Sequence, residues 1–244
     1  MPKSFYNTVV TLKLKKVLLL LKMHIPDGLI ITNEPLSILG AIGMWLISFI
    51  FLYWSWKKTK ITYSRSITSL LGISSAFIFA AQMINFPIIF GTSGHLVGGT
   101  FLATLLGPYA AILGMTIVLI MQAVIFADGG ILAFGANVFT MAIIGGLSFF
   151  LIKIIMRNSN NKSRLASSVF ISSWLSVVLG ALVAGLLISP AFPGGILTTV
   201  PAMLIYHAII GIGEGAITAI LVTSIQKIQP TAMGGLNFLK EISM

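Results

Sequence analysis

Apolar runs long enough to cross a bilayer follow one another from residue 36 to residue 225, and the charged side chains are gathered between them. Between Arg65 and Lys153 the only charged side chain is Asp128. A bilayer core takes about 20 apolar residues of helix to cross. Backbone hydrogen bonds can be satisfied inside it only by helices or closed barrels. The pattern predicts an all-α integral membrane protein. Composition supports this: 8% of the 244 residues are charged, against about 25% in a soluble domain. So few charges cannot cover a water-facing surface, which excludes a soluble globular domain. An apolar share of 57% excludes a disordered chain. With no cysteine, the chain has no disulfide, no thiolate ligand and no cysteine nucleophile.

The predicted spans are 36–56, 66–90, 95–106, 108–126, 131–155, 166–189 and 197–225. Gly107-Pro108 separates the third from the fourth, because proline disfavours helix in the residue before it and sits well at a helix start. At 1.5 Å per residue the stretch 95–106 is only about 18 Å long. It is too short to cross alone unless its outer loop dips into the protein. Three basic groups test the count: Lys57, Lys58, Lys60 and Arg65; Lys153, Arg157, Lys162 and Arg164; Lys227 and Lys240. With seven spans all three fall on the cytoplasmic side, as the positive-inside rule requires; with six, the first group lies opposite the others. The expected architecture is a bundle of about seven transmembrane helices in the cell membrane, with the N-terminus outside and the C-terminus cytoplasmic. The net charge of +10 then marks orientation and gives no reason to expect nucleic acid.

Residues 1–22 do not fit this orientation. Lys13, Lys15, Lys16 and Lys22 would stand outside, directly before the first span. The apolar core 17–21 is shorter than the roughly 7–15 residues of a secretory signal, and Lys22 follows it where a small-residue cleavage site is expected. The reading adopted is that translation starts at Met23. Residues 1–22 are then an extension outside the fold, and 23–244 form a single membrane domain with an N-terminal metal-binding plug. The rival reading is an amphipathic surface segment that stays attached.

A chain beginning Met23-His24-Ile25-Pro26-Asp27-Gly28 carries a chelating group at its first two residues. The α-amine and the His24 amide nitrogen close a five-membered ring on a metal. The amide nitrogen and the His24 imidazole close a six-membered one. These three nitrogens lie nearly in a plane, which suits Ni(II) or Cu(II) and not tetrahedral Zn(II). His95, at the outer end of the third segment, can supply a fourth nitrogen. The chain has three histidines and two of them fall independently on the outer face. The competing reading for each is a structural hydrogen bond. Pro26 holds Ile25 extended and aims the first residues into the bundle. Thr92 and Ser93 precede His95 in a turn able to fix its tautomer, as metal-bound imidazoles require. Asp27 and Asp128 serve there too, or attract the cation, or cap turns.

These residues resemble a known family. Residues 23–28, MHIPDG, look like the N-terminus of the NikM/CbiM proteins, the substrate-binding membrane subunits of energy-coupling-factor nickel and cobalt transporters. Residues 90–99, FGTSGHLVGG, are similar to the family's GTSGH loop. Residues 122–137, QAVIFADGGILAFGAN, resemble its segment ending in GAN, at Asn137. The resemblance covers residues 23 to about 228. It implies a metal held by the Met23 amine, the His24 amide and imidazole, and the His95 imidazole, with Asn137 among the supporting residues. It also implies Ni2+ or Co2+ as transported substrate and no organic cofactor. The partners it implies are a transmembrane coupling subunit, two cytoplasmic ATPase subunits and often a small accessory membrane subunit. The 22-residue extension departs from the family pattern, because it would turn the amine into a peptide nitrogen.

His207 and Glu214 lie seven residues apart in the last span, on one helical face. His207 is expected to act in structure or support and not to ligate directly. Glu214 needs a partner or a proton at that depth. The chain has no P-loop, no HExxH and no Ser–His–Asp pattern, so an enzyme reading has little support. The function expected is capture of Ni2+ or Co2+ for ATP-driven import. The alternatives are a stand-alone divalent-cation channel or secondary transporter, and a membrane subunit that binds no metal.

Overall fold

The computed structural model describes residues 24–30, 35–62, 66–88, 92–156 and 161–236; at 35–36, 61–62, 66–67, 85–88 and 92–94 it describes the backbone only. The described chain is nearly all helical. After a single turn α1 (Asp27–Ile30) come α2 (Pro35–Thr62) and α3 (Ser66–Gln82). A two-stranded antiparallel hairpin follows, β1 (Asn85–Ile88) and β2 (Thr92–His95), with Asn85 opposite His95. Then come α4 (Gly99–Leu106), α5 (Pro108–Ile125), α6 (Phe134–Met156), α7 (Lys162–Ile188) and α8 (Ile196–Ile228). The stretch Val138–Ile143 of α6 is wound as π-helix.

Among the described residues, α2, α5, α6, α7 and α8 are long and apolar enough to cross a membrane, while α3 is a shorter apolar helix. Each predicted segment contains a helix, five of them long enough to span. The ends differ in three places. The stretch 66–90 was expected as one span, but α3 stops at Gln82 and residues 85–88 form β1. The helix α2 runs past the apolar stretch to Thr62, so Lys57 and Lys60 sit on helix and not on a loop. Their ammonium groups lie over the rings of Tyr53 and Trp56, at 5.2 and 4.9 Å from the centroids. Aromatic and basic side chains alternate in this way at a membrane–water interface. The third segment was expected to be helical from His95, but the helix starts at Gly99. Gly98 takes a left-handed conformation, φ 77°, that turns the chain into α4. His95 ends a strand instead of opening a helix, a correction to the purely helical expectation. The preceding stretch 85–95 contains Pro87, Gly91 and Gly94, which read as loop in the sequence. Pro87 is compatible with a two-stranded hairpin because an edge strand leaves its missing N–H unneeded.

The break at Gly107-Pro108 is present as expected, with Pro108 at the first position of α5. With eight residues, α4 is about 12 Å long, well short of a bilayer core. It lies fully buried beside α5 and α6. A Cβ on Gly99 would come within 2.7 Å of Gly145 Cα in α6 and 2.9 Å of the Met141 carbonyl. Two glycines thus let the backbones touch, the small-residue packing that membrane helices use in place of a hydrophobic driving force. The core is built from Leu102, Leu106, Ile112, Met115, Ile143, Phe149 and Ile152. The helix α2 lies on the outside, and Leu46, Phe49 and Ile50 stand exposed, as lipid-facing side chains do.

Candidate metal centre

Residues 24–27 lie against the loop that joins α5 to α6. Asn137, at the first turn of α6, grips Ile25 from both sides. The Ile25 N–H donates to Asn137 Oδ1, and Asn137 Nδ2 donates back to the Ile25 carbonyl, each at 3.0 Å. Gly130 N–H donates to the same carbonyl at 3.1 Å. Asp27 Oδ1 accepts from Ala133 N–H at 2.9 Å. Four such bonds, worth about 1 kcal/mol each, roughly offset the cost of fixing four backbone residues, about 1–2 kcal/mol apiece. Burial decides the outcome: Ile25 packs between Ala41, Ala133 and Ala136 on one side and the cluster of Ala181, Ala184 and Ile188 on the other.

The loop leaves room for this segment through two glycines. Gly129 has φ 88°, and a Cβ there would come within 3.0 Å of His24 Cβ. A Cβ on Gly130 would collide with the Asp27 carboxylate and backbone. Just before them, Ala127 is held at φ 50°, in the left-handed region. Asp128 N–H then donates to the Gln122 carbonyl at 3.0 Å, which fixes Asp128 beside His24.

Docked in this way, His24 faces His95 with ring centroids 5.3 Å apart and planes tilted by 48°. Both residues are buried, at 6% and 8% exposure. His95 Nδ1 lies 3.0 Å from the Leu96 carbonyl. Since a carbonyl only accepts, Nδ1 carries the proton and Nε2 the lone pair, the tautomer a metal-binding imidazole needs. The His24 backbone N–H donates to Asp128 Oδ1 at 3.3 Å. Its Nδ1 stands 3.2 Å from Asp128 Oδ2 but without hydrogen-bond alignment, and Nε2 has no partner. A buried imidazole without a hydrogen bond costs about 1–3 kcal/mol. That cost fits a group whose nitrogens are kept for a ligand.

Of the residues singled out in the sequence, His24, His95, Asp27, Asp128 and Asn137 converge here. Met23 lies outside the described residues, as do the side chains of Thr92 and Ser93, whose backbone belongs to β2. His207 Nδ1 lies 2.8 Å from the Met203 carbonyl of its own helix. Among the described residues, no three His, Cys, Asp or Glu side chains are arranged to hold a metal ion by themselves.

Two side chains bind the segment that follows His95, and a third supports one of them. Glu214, near the middle of α8, accepts from Val97 N–H at 2.8 Å and from Gly98 N–H at 2.9 Å. Gln82, the last residue of α3, donates from Nε2 to the Val97 carbonyl at 2.7 Å. Gln122 Nε2 of α5 donates in turn to Gln82 Oε1 at 2.9 Å. Both glutamines are fully buried. Glu214 stood out in the sequence as needing a partner, and these two amides are that partner. Gln82 carried the same signal, a polar side chain in an apolar run.

Comparison with known proteins shows what the chain as a whole is similar to. The model of the family CbiM, described as the cobalt uptake substrate-specific transmembrane region, matches residues 24–232. The chain is 41% identical over 211 residues to a protein of Archaeoglobus fulgidus named as a fused nickel transport protein, NikMN, covering 85% of this chain and 67% of that one. It is 40% identical over 210 residues to one of Haloquadratum walsbyi named as a metal transport protein, covering 85% and 92%. Its structure resembles the crystal structure of a truncated transition metal transporter at a TM-score of 0.75 and 31% identity, covering 84% of this chain and 99% of that one.

Proposed function

Because the chain belongs to the CbiM family of cobalt uptake substrate-specific transmembrane proteins, we propose that it is the capture subunit of an energy-coupling-factor importer, taking Ni2+, or Co2+, from outside the cell. Metal transport by a multi-pass membrane protein is the family's activity; the ligand set, the choice of metal and the partners are proposed. The ligands are the α-amine of Met23, the backbone nitrogen and imidazole of His24, and the imidazole of His95. The observation that carries this reading is the buried His24 imidazole facing His95, ring centroids 5.3 Å apart, with its Nδ1 3.2 Å from the Asp128 carboxylate and neither ring nitrogen in a hydrogen bond.

The chain's own groups prepare the capture. Asn137, Gly130 and Asp27 hold residues 24–27 against the loop between α5 and α6. The Asp128 carboxylate accepts the His24 N–H, and so is the group nearest the proton that must leave when the amide nitrogen binds metal. The net negative charge of Asp27 and Asp128 draws a cation to that face. A planar nitrogen set favours Ni2+ over Co2+, and the general affinity order runs the same way. Binding releases protons from the amide and requires neutral imidazoles, so affinity falls as pH falls. The sequence has no P-loop of its own. Release inward is driven by partners: a transmembrane coupling subunit, two cytoplasmic ATPase subunits and a small accessory membrane subunit.

The test is metal retention by purified protein. His24→Ala and His95→Ala are each expected to lose bound nickel through gel filtration while remaining monodisperse. Retention equal to the unchanged protein in both variants would sink the ligand assignment.

A further inference from the structure

We propose that Glu214 is a positioning residue for the metal-binding imidazole of His95, acting together with Gln82 through the backbone of Leu96, Val97 and Gly98. The proposal rests on the reading of His95 as a ligand. Glu214 is 3% exposed and sits near the middle of a helix long enough to span the membrane. A carboxylate at that depth is costly unless its oxygens are engaged. Among the described residues no Lys or Arg pairs with it. Its two oxygens are engaged by Val97 N–H at 2.8 Å and Gly98 N–H at 2.9 Å.

The same three-residue segment is held from its other side. The Val97 carbonyl accepts from Gln82 Nε2 at 2.7 Å, and Gln82 is fixed in turn by Gln122. The Leu96 carbonyl is the atom that receives His95 Nδ1–H at 3.0 Å. Each polar backbone group that sets the direction of the imidazole is thus tied, within two residues, to a buried side chain of α8 or α3. The glycine at position 98, with φ 77°, lets the chain present consecutive N–H groups to one carboxylate before α4 begins. The arrangement points the Nε2 lone pair of His95 and connects the capture site to the middle of the longest helix. Any movement of α8 is thereby passed to one of the ligands.

The test is a double-mutant cycle read by titration of nickel(II) alone into detergent-purified protein with its native N-terminus. Glu214→Gln preserves volume but cannot accept from both amides. It is expected to weaken nickel affinity by about 10–100-fold, the range seen when a ligand's supporting hydrogen bond is removed. Glu214→Asp, which keeps the charge, is expected to recover part of the loss. In a His95→Ala background Glu214→Gln is expected to add nothing, because the residue acts through His95. Unchanged affinity in Glu214→Gln, or an equal loss with and without His95, would overturn the proposal. Should Glu214→Gln not yield folded protein, Gln82→Met removes the other tether of Val97 and is read by the same cycle and the same outcomes. Wild-type affinity in His95→Ala would instead overturn the ligand assignment, so the two failures are distinct.

Discussion

Asn137 shows how much one side chain can decide. Its amide is 4% exposed and satisfies both polar groups of Ile25, as a neighbouring strand would. Asn137→Ala removes two bonds that hold the metal-facing segment, worth about 1–2 kcal/mol together. Nickel affinity, measured by calorimetric titration, is expected to fall about tenfold. Asn137→Asp is expected to do worse, because an acceptor replaces the donor facing the Ile25 carbonyl. The residue was legible in the sequence only as part of a resemblance to a GAN segment. Nothing in its spacing says that its amide meets a residue near the start of the fold. Asp27 and Asp128 were recognisable as rare acids on loops, but which backbone amides they serve is decided by packing. The two glutamines are similar: a buried polar residue in an apolar run announces that it has a partner without saying which.

At the scale of elements, the loop between α5 and α6 and the close contact between α4 and α6 are the sensitive points. Gly130→Ala places a Cβ into the Asp27 carboxylate. The N-terminal segment is then expected to undock, with nickel lost and the helical circular-dichroism signal unchanged. Gly99→Val is expected to behave differently. It drives side-chain atoms into the Gly145 backbone and the Met141 carbonyl, so the thermal transition in detergent should drop by several degrees. Helices were the readable part of this chain because an uninterrupted apolar run is local information. The end of α4 was readable for the same reason, since Pro108 dictates it by itself. The hairpin 85–95 was not, because strand pairing depends on a partner several residues away, while Pro87, Gly91 and Gly94 argue locally for a loop. Its consequence for the site is direct: His95 ends a strand, the segment after it is tied to α3 and α8, and it does not stand on a helix tip.

For the whole molecule, the expected orientation rests on the positive-inside rule applied to ten basic residues after position 22, which fall into three groups. Their predicted side can be measured, because the chain has no cysteine and single cysteines are unambiguous. In intact cells an impermeant thiol reagent is expected to label Pro193→Cys and to spare Lys162→Cys. The reverse pattern would invert the topology and with it the direction of capture. The central proposal is that the first two residues of the MHIPDG motif chelate the ion and that the bundle supplies the histidine that completes the square. It is tested most directly by the absorption spectrum and magnetism of nickel-loaded protein beginning at Met23, beside the same protein with one residue added before it. A yellow, diamagnetic complex that is lost on extension is the predicted result. Equal binding and identical spectra in both forms would contradict the account, because the amine would then not be a ligand.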